Sequence, residues 1–401
     1  MKTRTLPLIL AALTLLLVSA GALASSLSTP SSPPSWQMLS APDSFPIKAI
    51  AASPTFATDH TLFAGTQAGL YRSTDAGQHW TALGTGAAGA VKIIPSPAYS
   101  ADHTLFVLAE TASPPGCRVL RSTDGGATWQ MVWSSTAVSD LTVSPNFTLD
   151  RTLFLINTLF DQQQVYRSTD AGDSWLPSAG QPASLEAYLL AISPAYATDH
   201  TLFAAGYGAI SRSTDGGASW QRLNAASPTY SLAISPRYAI DHTLWAVYRE
   251  IEGSATQPEA GIVRSTDGGA TWSNVTAGLD GNYNENYRSL APDPAGEALY
   301  LALTGPQWDP RFPPMIYRSD NGGQRWAPQE LLPGGAAPQQ VVAAGPLPDL
   351  FALAEGVIYR YTSLCYEALA DGGFETGPEL LPYPHIARAW ETPSTPLPAG
   401  Y

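Results

Sequence analysis

One nine-residue phrase recurs six times along the chain and limits what it can fold into. The copies start at positions 72, 121, 167, 212, 264 and 318 and read RSTDAGQHW, RSTDGGATW, RSTDAGDSW, RSTDGGASW, RSTDGGATW and RSDNGGQRW. Their spacings are 49, 46, 45, 52 and 54 residues. A period of this length is typical of the blades of a propeller or the units of a solenoid.

A second phrase precedes each copy and defines the content of one repeat. It reads SPTFATDHTLFA, SPAYSADHTLFV, SPNFTLDRTLFL, SPAYATDHTLFA, SPRYAIDHTLWA and, in a divergent sixth copy, PDPAGEALYLAL. An apolar strand ends at Ser-Pro, a turn carries Asp-His-Thr, a second strand follows, and a third ends at Tyr-Arg-Ser. The Gly-containing turn then reverses the chain into a fourth strand beginning at the Trp. Each repeat is therefore predicted to be a four-stranded antiparallel meander.

The core of the nine-residue phrase, Ser-x-Asp-x-Gly-x-x-Trp, resembles the Asp-box (BNR) repeat of sialidases, sortilin-type propellers, xyloglucanases and photosystem II assembly factors. Asn321 fills the Asp position in the sixth copy. The resemblance implies a β-propeller. Short acidic side chains accept hydrogen bonds from backbone N–H groups in turns, and Trp rings pack between sheets. We therefore expect a structural role for the Asp and Trp side chains of the phrase. They are Asp75, Asp124, Asp170, Asp215, Asp267, Trp80, Trp129, Trp175, Trp220, Trp272 and Trp326.

The two ends of the repeat region predict seven blades rather than six. The sequence YRYT at 359–362 resembles a third strand, but no box follows it. The sequence SWQML at 35–39 resembles a fourth strand that lacks a blade of its own. We therefore predict an all-β fold: a seven-bladed β-propeller of four-stranded antiparallel blades over residues 35–363, with the ring closed by the N-terminal strand so that no sheet edge stays open.

The flanking segments predict export. Lys2 and Arg4 precede an apolar run at 6–18, and a small-x-small sequence ends at Ala24. This pattern predicts a signal peptide over 1–24, cleaved after Ala24, and a secreted protein that is extracellular or periplasmic. Residues 25–34 are a predicted linker. The C-terminal tail, 364–401, contains ADGGFETG, which resembles the start of a jelly-roll carbohydrate-binding module that would be truncated here.

Charge and composition exclude several classes of partner. The formal net charge of −13 repels polyanions, so we expect no nucleic acid partner. The apolar run is too short to span a bilayer comfortably, so no membrane insertion is expected. Cys117 and Cys365 either pair or remain free thiols. Histidines at equivalent blade positions are too far apart to share a metal ion, so no metal site is predicted. We also predict no cofactor, and we expect a monomer.

The length variation predicts where a ligand binds. In a four-stranded meander, the Asp-His-Thr turns and the boxes lie on one face, while the second turns and the connections between blades lie on the other. The insertions, at 110–117, 157–164, 249–261, 278–288 and 304–315, all fall on the second face. Insertions gathered on one face of a repeat protein usually mark its binding surface. The candidate binding residues are Tyr283, Glu285, Tyr287, Arg288, Trp308, Asp309 and Arg311.

Two classes of function remain open from the sequence. The first is a noncatalytic propeller that binds a glycan or an extracellular or envelope protein. The second is a glycoside hydrolase, sialidase-like or xyloglucanase-like, which needs a pair of carboxylates or a Tyr nucleophile with a Glu partner. No spacing singles out such a pair among the candidates Glu250, Glu252, Asp280, Glu285 and Asp309, so no catalytic residue is assigned. The photosystem II resemblance adds a third hypothesis, an assembly or stability factor for an envelope complex.

Overall fold

The computed structural model confirms an all-β ring of seven four-stranded antiparallel blades. It describes residues 35–362 apart from 113, 160–161, 181–186, 224, 226–227, 250–259, 280–286, 305–312, 330 and 346–348. The predicted signal peptide, linker and C-terminal tail lie outside the described residues, as does Cys365.

Each of blades 1 to 6 takes its strands in chain order from the innermost to the outermost. Blade 1 contains β2 (Ala49–Ala52), β3 (Leu62–Gly65), β4 (Leu70–Ser73) and β5 (Thr81–Ala82). Blade 2 contains β6 (Ala90–Pro95), β7 (Leu105–Ala112), β8 (Pro115–Ser122) and β9 (Gln130–Ser135). Blade 3 contains β10 (Val138–Val143), β11 (Leu153–Leu159), β12 (Gln162–Ser168) and β13 (Leu176–Pro177).

The next three blades repeat this order. Blade 4 contains β14 (Ala187–Ile192), β15 (Leu202–Gly206), β16 (Ile210–Ser213) and β17 (Gln221–Arg222). Blade 5 contains β18 (Thr229–Ile234), β19 (Leu244–Arg249), β20 (Ala260–Ser265) and β21 (Ser273–Asn274). Blade 6 contains β22 (Tyr287–Pro292), β23 (Leu299–Leu303), β24 (Met315–Ser319) and β25 (Ala327–Pro328). Within blades 1–6 the fourth strand begins one residue after the box Trp, not at the Trp as predicted.

Blade 7 closes the ring with strands from both ends of the propeller. Its strands β26 (Pro338–Ala343), β27 (Leu350–Ala354) and β28 (Val357–Thr362) are completed by the N-terminal β1 (Ser35–Met38). In the antiparallel register Ser35 faces Thr362, and Trp36 faces Tyr361. Trp36 is buried against blades 6 and 7, where its ring centroid lies 5.2 Å from that of Tyr361. The predicted closure by the N-terminal strand is thus confirmed.

The hydrophobic core is divided into clusters between adjacent blades. The cluster between blades 3 and 4, for example, contains Phe154 and Ile156 from one sheet, and Leu190 and Tyr196 from the next. The second strand of every blade supplies fully buried aromatic or aliphatic side chains, because it is covered by a neighbouring sheet on each face.

The predicted turn after the first strand contains a one-turn helix in blades 1 to 5. These helices are α1 (Phe56–Asp59), α2 (Tyr99–Asp102), α3 (Phe147–Asp150), α4 (Tyr196–Asp199) and α5 (Tyr238–Asp241). The aromatic residue that starts each helix is buried. The repeated His follows the helix in the left-handed region, with φ near 50°, and Arg151 takes this position in blade 3. The residue therefore ends the helix.

Candidate functional site

The nine-residue boxes are tight turns stabilised by their own side chains, as blade 2 illustrates. Ser122 Oγ donates to Asp124 Oδ1 (2.7 Å) and accepts from the backbone N–H of Gly126 (2.8 Å). Thr128 donates to the same carboxylate through its N–H (2.9 Å) and its hydroxyl (2.5 Å). The Thr128 and Ser122 hydrogen bonds lower the pKa of Asp124 to about 2.

The other boxes repeat this arrangement. The Ser hydroxyl donates to the box acid or amide in all six copies, including Asn321 in blade 6. The pKa values of Asp170 and Asp267 are also lowered to about 2 by hydrogen bonds, first from Ser174 and Thr271. Ser and the acid or amide are therefore engaged with each other and with their own turn.

The box Trp and Arg side chains join neighbouring blades. Trp326 is buried, and the other five box Trp rings are half-buried. Trp175 Nε1 donates to the carbonyl of Val132 in the preceding blade (3.0 Å). In the opposite direction, Arg121 Nη1 donates to the carbonyl of Ala171 in the following box (2.8 Å). We call the face that carries the boxes and one-turn helices the box face, and the opposite one the loop face.

A second set of polar contacts surrounds the central channel on the innermost strands. In blades 3, 5, 6 and 7, the side chain four positions before the end-of-strand Ser, or before its equivalent, bonds to the backbone of the next blade. Asp140 Oδ2 accepts from Leu190 N (2.7 Å), and Gln340 Oε1 accepts from Ile50 N (3.4 Å). The hydroxyls of Ser231 and Ser289 accept similar bonds from the N–H groups of Leu290 and Val341. A β-bulge directly before this position, in blades 2 to 7, turns the side chain toward the neighbour.

Both lysines of the described region lie on this inner ring toward the loop face. Lys48 Nζ lies 3.3 Å from Glu110 Oε2, and Lys92 Nζ forms an ion pair with Asp140 Oδ1. Asp140 is 5% exposed and accepts further bonds from backbone N–H groups on blades 3 and 4. These contacts fix the position of the Asp140 carboxylate between three blades.

Three tyrosines, one exposed and two half-buried, form an aromatic cluster on the loop face of blades 4 and 5. Tyr188 and Tyr230 occupy equivalent positions on β14 and β18, and Tyr207 lies in the β15–β16 turn. The ring centroids are 5.1 Å apart for Tyr188 and Tyr207, 6.1 Å for Tyr207 and Tyr230, and 6.4 Å for Tyr188 and Tyr230. Tyr188 donates its hydroxyl to the carbonyl of Thr229 (2.5 Å), and its burial raises its pKa. Tyr207 is 49% exposed.

The carboxylates described on the loop face all have partners. Asp43 accepts from Thr66 Oγ1 (2.8 Å), and Glu355 accepts from Ala337 N (3.4 Å). Glu110 and Asp140 are paired with lysines. A carboxyl group that acts as a general acid needs a raised pKa. Among the described carboxyl groups, burial raises the pKa of Asp349, although the positive charge of Arg360 acts in the opposite direction. Asp349 lies directly before β27, on the box face.

The structure describes two of the seven predicted binding residues. Tyr287 is the first residue of β22 and is 9% exposed within the core cluster of blades 5 and 6, so it is not the exposed loop aromatic that was expected. Arg288 is exposed, and its Nε donates to Thr304 Oγ1 (3.1 Å). Tyr283, Glu285, Trp308, Asp309 and Arg311 lie outside the described residues, as do Glu250, Glu252 and Asp280.

Two of the predicted insertions extend paired strands over their described residues. Residues 110–112 and 115–117 lengthen β7 and β8, and residues 157–159 and 162–164 lengthen β11 and β12, on the loop face. Cys117 lies in β8 and is half-buried. Within the described ranges no group of three or more His, Cys, Asp or Glu side chains could hold a metal ion. Among the same residues no helix has the length and apolar character needed to cross a membrane.

The tyrosine cluster and the inner polar ring were missed by sequence reasoning. Tyr188 and Tyr230 stand at the same place in consecutive repeats, five residues before the end-of-strand Ser. Aligning the repeats on that Ser, instead of on the box, could have revealed both features. The sequence alone could not have placed Tyr207 beside them, because it comes from a different turn.

Comparisons with known proteins support the fold. Neither a family model nor a curated protein matches the chain. Among solved structures, a GH74 xyloglucanase from Xanthomonas campestris is similar with a TM-score of 0.60 and 18% identity, over 81% of this chain and 53% of that one. The present chain thus spans about half the length of the xyloglucanase.

Two further structures match over nearly their whole length. YCF48 bound to D1 peptide has a TM-score of 0.56 and 18% identity, over 84% of this chain and 97% of that one. A catalytically inactive virginiamycin B lyase from Staphylococcus aureus, with quinupristin, has a TM-score of 0.58 and 16% identity, over 82% and 100%. At these identities the similarity shows the propeller fold alone.

Proposed function

We propose that this protein is a secreted, noncatalytic propeller that binds its ligand, a glycan or a protein, on the loop face. The contrast between the two faces carries the proposal. On the box face, repeated Ser, Asp and Arg side chains are engaged in hydrogen bonds within and between blades. The loop face differs from blade to blade and carries the exposed Tyr207 and Arg288. A surface that varies over a constant scaffold suits recognition.

The engagement of the carboxylates favours binding over hydrolysis. A glycosidase of the common type needs one carboxylic acid and one carboxylate facing each other across the bond that breaks. The loop-face carboxylates of the described residues are bound to lysines, hydroxyls or backbone N–H groups. These carboxylates are therefore already engaged within the propeller, which favours a structural role for them over a catalytic one.

The structural neighbours are compatible with this proposal. They comprise both enzymes and YCF48, whose structure contains a bound D1 peptide, so this fold serves binding as well as catalysis. Peptide binding by YCF48 leaves a protein ligand open for the present chain. We also propose that the protein is exported and cleaved after Ala24. Sequencing the N-terminus of the secreted product tests this.

The test compares variants on the two faces. The purified protein is applied to a glycan array and to immobilised candidate envelope proteins, next to three loop-face variants: Arg288→Ala, and Tyr283→Ala and Trp308→Ala, whose place on that face is predicted from the sequence. Ile240→Ala is the control, because Ile240 is 78% exposed and lies in α5 on the box face. Every variant is first checked for an unchanged melting temperature.

The proposal requires that loop-face variants weaken binding while Ile240→Ala does not. If Ile240→Ala abolishes binding and the loop-face variants do not, the ligand docks on the box face and the proposal is wrong. Turnover of a bound glycan by the purified protein would instead establish the hydrolase hypothesis.

A further inference from the structure

The tyrosine cluster, formed by Tyr188, Tyr207 and Tyr230, lies at a low point of the loop face. The β15–β16 turn of blade 4 on this face is short, because β15 ends at Gly206 and β16 begins at Ile210. The hairpins of the two preceding blades are longer, with β7 extending to Ala112 and β11 to Leu159. The cluster is therefore lower than the sheets that precede it around the ring.

The three rings are inclined to one another instead of forming a flat stack. The interplanar angles are 56° between Tyr188 and Tyr207, 60° between Tyr188 and Tyr230, and 84° between Tyr207 and Tyr230. Tyr188 is fixed by its hydrogen bond to Thr229, and Tyr230 packs against the core between blades 5 and 6. Tyr207 stands on these two rings and keeps about half of its surface in solvent. The arrangement is thus preorganised, with one exposed ring on a rigid base.

We propose that this cluster is a binding subsite for a neutral sugar ring, which stacks on Tyr207. The inference rests on the proposed function and specifies its ligand. The C–H face of a sugar ring supplies the flat apolar surface that an exposed aromatic ring accepts, while Tyr hydroxyls supply directional hydrogen bonds.

The chemistry around the cluster favours a neutral polyol. Tyrosine hydroxyls both donate and accept, which matches the mixed donors and acceptors of sugar hydroxyls. Arg222 Nη2 donates to the carbonyl of Gly208 (3.1 Å) in the turn that carries Tyr207. The net charge of −13 disfavours an anionic glycan.

A proline-rich peptide is the main competitor, since such peptides also dock on aromatic surfaces. A peptide of this kind offers backbone carbonyl acceptors and few donors, so it would leave the acceptor capacity of the tyrosine hydroxyls unused. The sugar uses both capacities, and for that reason the sugar is the ligand proposed.

The test measures binding of neutral oligosaccharides by calorimetry, using cellohexaose, xylohexaose and mannohexaose, with polygalacturonate as the anionic probe and a decaproline peptide as the competitor. Tyr207→Ala should weaken binding of a recognised neutral sugar about tenfold, the effect of losing a central aromatic contact. Tyr207→Phe keeps the ring and should stay within about threefold of the original protein. Ile240→Ala, on the box face, is the control for non-specific effects.

Salt separates the neutral ligand from a charged one. Binding of a neutral sugar should hardly change between 50 and 500 mM NaCl, because no ionic contact is screened. Equal affinity of Tyr207→Ala and the original protein for every neutral sugar bound would overturn the inference, and so would tighter binding of polygalacturonate or decaproline.

The two proposals fail in distinguishable ways. If sugar binding is lost in Trp308→Ala and kept in Tyr207→Ala, the loop face binds and the tyrosine subsite is wrong. If no neutral sugar binds while a protein partner docks on the loop face, the proposed function stands and the sugar subsite is again wrong. If binding depends on Ile240 alone, both are wrong.

Discussion

The packing of a box Gly against the preceding blade predicts the cost of adding a single methyl group there. Gly126 has φ of 96°, and a Cβ built on it would lie 2.7 Å from Leu83 Cδ1 and 3.1 Å from Leu83 Cβ. Leu83 is 8% exposed in the cluster between blades 1 and 2, so it has little room to move. Gly126→Ala therefore combines backbone strain with overpacking.

The expected magnitude follows from those two effects. Left-handed backbone costs about 1–2 kcal/mol for a residue with a Cβ, and overpacking a core contact costs about 1–3 kcal/mol. Gly126→Ala should thus lower the free energy of unfolding by about 2–5 kcal/mol. With an unfolding entropy of about 2.1 cal/mol/K per residue, a ring of about 330 residues loses about 1.5 °C of Tm for each kcal/mol, or about 3–7 °C in all.

Gly84→Ala separates the two causes. Gly84 has φ of 77°, and a Cβ there meets no atom within 4 Å, so this variant experiences strain without a clash. It should lose about 1.5–3 °C, measured by calorimetry and urea unfolding side by side with Gly126→Ala. In the double variant Gly126→Ala/Leu83→Ala, part of the clash is relieved. The stability lost in the double variant should therefore be smaller, by about 1–3 kcal/mol, than the sum of the losses in the two single variants. Equal losses for the two Gly variants, or strict additivity in the double variant, would refute the reasoning.

Two further predictions concern ring closure and acid stability. Trp36→Ala should lower the free energy of unfolding by about 3–5 kcal/mol. Met38 lies on the same strand and is 67% exposed, so Met38→Ala should change the free energy of unfolding by less than about 0.5 kcal/mol. Urea unfolding measures both variants, and similar losses would contradict the role of β1 in closing the ring. The box carboxylates have pKa values lowered from 3.8 to about 2, so the stability they contribute is present above pH 4 and is lost as the pH falls toward 2. The Tm should accordingly drop across this range, and less steeply in the triple Asp→Asn variant at Asp124, Asp170 and Asp267; an unchanged slope would show that these carboxylates do not govern acid unfolding.

The fold could be predicted from the sequence because the ring repeats. Six copies of one phrase set the blade period, and the unmatched strands at 35–39 and 359–362 predicted the seventh blade. Boxes form by local hydrogen bonds between residues two to four positions apart, so their chemistry is visible in the phrase itself.

The loop face was harder to predict because its features depend on contacts between repeats. The side chain of Asp140 reaches blade 4 only after a bulge in β10 shifts its direction, and no residue type marks that bulge. Tyr287 looked like a loop residue because it follows a polar segment, yet it starts a strand and is buried. Tyr207 joins Tyr188 and Tyr230 through the stacking of two blades, which a single repeat does not encode.

The register of the closing strand determines how the ring responds to mechanical force. Ser35 faces Thr362, so the first residue of β1 and the last residue of β28 lie at the same end of blade 7. Tension applied between these two residues would load the hydrogen bonds of the pair one after another, as in a zipper, instead of shearing all of them together. Blade 7 should therefore open first under tension, and the other six sheets, whose strands are linked by continuous chain, should remain folded at that force.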